Sequence, residues 1–102
     1  MRNEELLIRL TQTQGIAGYE KKVRELIEQE VRPYADELIV DPLGSLIAVK
    51  KGKGGPHSKK IMFAAHMDEI GFMVKKIEED GRLLVCNVGW NWTASAYNTR
   101  VV

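Results

Sequence analysis

Apolar positions in the first third of the chain recur at helical spacing. Leu6, Leu7 and Leu10 fall at i, i+1 and i+4, which predicts a helix over 3–14 with one apolar face. Asn3 is suited to cap it, and Glu4 and Glu5 give its first turn the sign that the helix dipole favours. Gly15-Ile-Ala-Gly18 breaks the pattern, with Gly15 suited to a left-handed position just past the helix. Val23, Leu26, Ile27 and Val31 form a second stripe, with Glu20, Lys21, Lys22, Arg24, Glu25 and Glu28 around the rest of the turn. Pro33 ends that helix, because proline lacks the N–H and disfavours helical geometry in the residue before it.

From Asp36 the period shortens. Glu37 to Asp41 and Leu46 to Lys50 read as strands joined by the turn Pro42-Leu43-Gly44. A loop of Gly, Lys, Pro and Ser follows. It leads into Ile61-Met-Phe-Ala-Ala65, a short apolar run whose length fits a fully buried strand. Ile70 to Ile77 and Arg82 to Val88 read as a hairpin around Glu78-Glu-Asp-Gly81, where Asp-Gly is the turn signal. The last stretch, from Gly89, reads as ending in another strand at Val101-Val102. Such a strand would leave an apolar edge that natural proteins blunt, so the expected domain looks cut off at that end.

The bulk properties narrow the class. A chain of 102 residues is one small domain or part of a larger one, and 44% hydrophobic with 28% charged residues fits an ordinary globular protein. Fifteen basic against fourteen acidic residues leave a net charge of +1, so no strong field draws nucleic acid or a membrane surface. The lysines of 50–60 have no aromatic residues between them to stack bases and read as a solvated loop. Cys86 is the single cysteine, which excludes an internal disulfide and a cysteine-based zinc cluster. The N-terminus has no long apolar run of the secretory kind, and no stretch approaches the length of a membrane span. A cytoplasmic protein is expected.

The candidate chemistry gathers where the central run ends. His66, Asp68 and Glu69 follow Ile61–Ala65 directly, and open α/β sheets bind ligands at the carboxyl ends of their strands. Two readings stay open on the residues alone. One is structural, with a strand-end histidine and carboxylates that cap a turn. The other is metal binding, with His66 as ligand and Asp68, two residues on and therefore on the same strand face, holding its second ring nitrogen. Zinc takes about three or four protein ligands, and the chain does not supply the remainder. His57 sits in the Gly/Pro loop and reads as exposed. A glycosidase needs two carboxyl groups roughly 5 to 9.5 Å apart across a bond, which adjacent strand residues Asp68 and Glu69 are badly placed to give. No serine stands in a nucleophile-elbow sequence, and Cys86 reads as a packing residue within a strand.

The stretch Ala64-Ala-His-Met-Asp-Glu-Ile-Gly-Phe-Met-Val74 resembles the glutamyl aminopeptidase / tetrahedral aminopeptidase family of dinuclear metallopeptidases, some of whose members carry the names cellulase M or endoglucanase. Gly15-Ile-Ala-Gly-Tyr-Glu20, Asp41-Pro-Leu-Gly-Ser-Leu-Ile-Ala-Val49, Asp80-Gly-Arg-Leu83 and Val88-Gly-Trp90 match in the family's order. The region after Trp90 departs from the family's commoner forms. The resemblance implies an α/β fold: residues 1–69 as the N-terminal segment of a three-layer α/β/α catalytic domain, and 70–102 as the first strands of an inserted β-barrel-like dimerisation domain. It further implies an aminopeptidase acting on peptides with two zinc or cobalt ions, and dimers that assemble into a dodecamer. His66 becomes a metal ligand and Asp68 the catalytic residue that supports it. Family members are over three times this length, which puts the remaining metal ligands and the catalytic glutamate beyond residue 102. The 102 residues alone are then expected to be inactive. A non-catalytic assembly module on the same fold, and less favourably a glycoside hydrolase, are the alternatives.

Overall fold

The structure, a computed structural model, describes residues 3–55, 57–90 and 93–101. Helix α1 runs Asn3–Gln12 and α2 runs Lys21–Val31. A 3-10 turn Arg32–Tyr34 follows, then strands β1 (Glu37–Val40), β2 (Leu46–Val49), β3 (Gly71–Ile77) and β4 (Leu83–Val88), and a 3-10 turn Thr93–Ala96.

A polar contact links the two helices. Arg9 Nη1 donates to Glu30 Oε1 at 2.6 Å across the pair. The last turn of α1 is closed by hydroxyls that bond back to carbonyls, Thr11 to Leu7 at 3.0 Å and Thr13 to Arg9 at 2.7 Å. Asn3 lies inside α1 as its first residue and does not cap it. Pro33 sits within the 3-10 turn, where its missing N–H costs no α-helical bond. Gly15 is not left-handed; that role falls to Gly18, with φ +86°. The reason for glycine at 15 is space, because a Cβ there would stand 2.4 Å from Val23 Cγ2.

The strands form two separate antiparallel pairs, β1 with β2 and β3 with β4. Val40 opposite Leu46 and Glu37 opposite Val49 set the first register, and Arg24 Nη1 ties α2 to it through the Gly44 carbonyl at 3.1 Å. Asp41 builds the turn: its Oδ1 accepts from the Leu43 and Ser45 amides at 2.9 and 2.8 Å, while Gly44 takes φ +92°. In the second pair the register shifts between Val74 and Lys76, a bulge at Lys75, and Gly81 turns the hairpin at φ +84°.

The Ser45 amide hydrogen bond, foremost, holds the Asp41 carboxyl below its ordinary value of 3.8. A depressed folded-state value contributes stability that is present above the ordinary value and lost as pH falls through the folded one. The β1–β2 turn is therefore expected to loosen below about pH 3.8 in wild type. In Asp41→Ala it should be loose at neutral pH. Amide exchange of Leu43 and Ser45 against pH measures both.

The expected buried strand at Ile61–Ala65 is not formed. Ile61, Met62 and Phe63 are 79%, 87% and 94% exposed, and no strand pairs with them among the described residues. A strand buried on both faces needs a layer packed over each of them, and the described residues leave this run uncovered. The strand expected at the end is also absent through Val101; Val102 lies outside the described residues. Among the described residues only Gly15 and Val23 are buried. The radius of gyration is 18.4 Å, against about 13 Å for a compact chain of this length. The accessible surface is 9502 Å², where a compact protein of this mass exposes about 5,800 Å². The described residues by themselves close no core.

Candidate metal centre

His66 and Asp68 meet where the apolar run gives out. His66 Nδ1 lies 3.0 Å from Asp68 Oδ1 and 3.1 Å from the Asp68 carbonyl oxygen. A carbonyl oxygen and an ionised carboxylate can only accept, so Nδ1 carries the proton in this arrangement. The Nε2 lone pair is left free, and the histidine side chain is 85% exposed. This is the state in which an imidazole binds a metal, with its far nitrogen fixed by a carboxylate. The donor chemistry fits one ligand position, with Asp68 behind it.

Glu69 goes elsewhere. Its Oε1 accepts from the Gly15 amide at 3.0 Å, its own amide donates to the Gly15 carbonyl at 2.9 Å, and Ile16 and Glu69 form a parallel bridge. Asp68 and Glu69, adjacent in sequence, thus engage different partners. Sequence reasoning missed this link between Glu69 and the loop after α1. Nothing local in the sequence marks it, since a glycine just past a helix reads as a left-handed position.

The other candidates stay apart from this pair. His57 is exposed in its loop, as are the lysines of 50–60. Cys86 is half-buried in β4 opposite Met73. No group of three or more His, Cys, Asp or Glu close enough to hold a metal exists among the described residues. The groove between the 14–24 segment and the Val40–Gly44 turn, lined by Tyr19, Lys22, Arg24 and Leu43, includes neither His66 nor Asp68. No described helix is long and apolar enough to cross a membrane.

Residues 44–102, which include His66, Asp68 and Glu69, match the profile of the M42 glutamyl aminopeptidase family. The chain belongs to that family. It is 52% identical over 85 residues to a protein of Acetivibrio thermocellus, covering 83% of this chain and 24% of the relative. It is 41% identical over 86 residues to the lysyl aminopeptidase of Pyrococcus furiosus, covering 83% and 24%. Among solved structures, the TET aminopeptidase of Thaumarchaeota archaeon SCGC AB-539-E09 superposes with a TM-score of 0.80 at 36% identity, over 89% of this chain and 25% of that one. PhTET1-12s, solved as a dodecamer, gives 0.74 at 38%, over 88% and 26%. A Thermotoga maritima structure described as an endoglucanase also matches, at 0.74 and 43% identity over 81% and 26%. The chain spans about a quarter of the length of these relatives. Its mixed helix and strand arrangement is that of the TET aminopeptidase fold.

Proposed function

We propose that this chain works as one part of a metal-dependent aminopeptidase that hydrolyses N-terminal peptide bonds, with His66 as a metal ligand and Asp68 as its orienting partner. The observation that carries the reading is the 3.0 Å contact between His66 Nδ1 and Asp68 Oδ1, which leaves Nε2 open within the family-matched segment. Two divalent ions, zinc or cobalt, would supply Lewis-acid activation of water and of the scissile carbonyl. The work of this chain is narrower. Asp68 keeps the proton on Nδ1 and holds the ring plane; His66 presents Nε2.

The rest of the site comes from outside these residues. Residues 1–69 belong, on this reading, to an α/β/α catalytic domain, and 70–102 open an inserted β-barrel-like dimerisation domain. The exposed Ile61–Phe63 run is then a central strand awaiting neighbours, which accounts for the buried-strand pattern in its sequence. Peptide substrate, cytoplasmic location and a homo-oligomer built from dimers, as large as a dodecamer, go with the same reading. The large apolar exposure equally favours a non-catalytic assembly module. A glycoside hydrolase gains little support, since Asp68 and Glu69 are bonded to separate partners.

The test compares two preparations. A polypeptide of the relatives' full length that carries these residues should release N-terminal residues from peptides in the presence of zinc or cobalt. The 102 residues alone should show little or no turnover. Metal-dependent turnover by the 102-residue chain that is lost in His66→Ala would contradict the division proposed; a full-length protein that oligomerises without binding metal would favour the assembly module.

A further inference from the structure

Glu69 has no part in the proposed chemistry, yet both its carboxylate and its amide bond to Gly15. The peptide unit between Asp68 and Glu69 is held at both ends. Its carbonyl oxygen accepts from His66 Nδ1 at 3.1 Å, and its N–H donates to the Gly15 carbonyl at 2.9 Å. A peptide unit is planar, so it cannot turn to release one partner without disturbing the other. The Glu69 carboxylate then reaches back to the Gly15 amide at 3.0 Å and closes the connection.

Both ends of this connection are anchored. Gly15 is buried against Val23 of α2, so closely that a Cβ at 15 would come within 2.4 Å of Val23 Cγ2. Ile16 lies over Gly71, where an added Cβ would stand 2.4 Å from Ile16 Cγ2. A continuous line of contacts therefore runs from α2 through Gly15 and Glu69 to Asp68 and His66. We propose that Glu69 is a positioning residue: by clamping Gly15 it fixes the 68–69 peptide and so sets the geometry in which Asp68 holds the His66 ring. The importance of that ring rests on the function proposed above, but the clamp itself involves no metal. Its donor is a neutral amide, so it needs an acceptor oxygen at the right reach and not a charge.

The experiment uses a polypeptide of the relatives' full length that carries these residues, labelled with nitrogen-15 at histidine and treated with chelator, and reads the ratio of Nδ1–H to Nε2–H tautomers of His66 by long-range proton–nitrogen correlation. Wild type and Glu69→Gln should both favour the Nδ1–H form. Glu69→Ala should lower the ratio by roughly three- to tenfold, the range set by loss of one ordinary hydrogen bond. Glu69→Asp keeps the charge but is one methylene short of Gly15, and should behave like the alanine variant. If Glu69→Ala unfolds the chain, the contrast between the aspartate and glutamine variants carries the same comparison. A Glu69→Ala or Glu69→Asp chain that loses protection at the Gly15 amide while keeping the wild-type tautomer ratio overturns the proposal, because Glu69 would then serve only the fold. So does a folded Glu69→Gln chain that behaves like alanine. A wild-type chain with no excess of the Nδ1–H form would instead defeat the His66–Asp68 pairing, and with it the function proposed above as well as the clamp.

Discussion

Replacing His66 with alanine in the full-length protein is expected to lower metal affinity and peptidase activity by more than any other single change in this chain. Removing a carboxylate that orients a metal-binding histidine typically costs about 10- to 100-fold. Asp68→Ala is expected in that range, since it leaves Nε2 present but frees the ring to rotate and to shift its proton. His66→Ala removes the donor atom itself and should exceed the upper end. Asp68→Asn should fall between wild type and Asp68→Ala, because its amide oxygen can still accept from Nδ1 without the carboxylate's charge. Zinc titration followed by calorimetry, beside hydrolysis of an aminoacyl substrate, gives both readouts. Equal effects of the histidine and aspartate replacements on zinc affinity would count against His66 as the ligand.

Gly15→Ala is expected to produce a large loss of stability. The backbone at 15 is not left-handed, so alanine meets no conformational penalty there. The added methyl would instead stand 2.4 Å from Val23 Cγ2. Valine in a helix is stiff about χ1 and cannot swing aside, so the cost is that of overpacking, about 1–3 kcal/mol. Gly18→Ala makes a useful contrast. Position 18 is left-handed at φ +86° with nothing within 4 Å of an added Cβ, so its cost is backbone strain alone, about 1–2 kcal/mol. A Val23→Ala replacement should relieve the Gly15→Ala defect and leave that of Gly18→Ala unchanged, a non-additivity that a double-mutant cycle in urea detects. Additive effects at 15 and 23 would mean that the close approach is not what keeps glycine at 15.

Local pattern was a good guide wherever an element finds its partners within the chain. The stripe Val23, Leu26, Ile27, Val31 corresponds to α2, and all four strands of the two hairpins begin and end within one residue of where alternation and turn chemistry put them. Asp41 and Gly81 act through short-range turn bonds, which sequence spacing encodes directly. The misreadings fall where the governing contact is distant. Ile61–Ala65 carries the composition of a buried strand, but burial is a property of neighbours, and the described residues supply none. Gly15 was read through its nearest helix end, whereas Val23 and Glu69, one of them 54 residues away, fix its role. The His66–Asp68 spacing was legible as a pair with two possible meanings. The proposed metal reading rests on the 3.0 Å approach of His66 Nδ1 to Asp68 Oδ1, within the segment that matches the family.

The most direct test of the central claim is an anomalous-scattering map, recorded at the zinc edge, of crystals of the full-length protein carrying these residues. A peak about 2.0–2.1 Å from His66 Nε2 is expected, the ordinary zinc–imidazole distance, with Asp68 still bonded to Nδ1. A fully occupied metal with His66 outside its coordination sphere, or bound through Nδ1 with Asp68 turned away, would contradict the account.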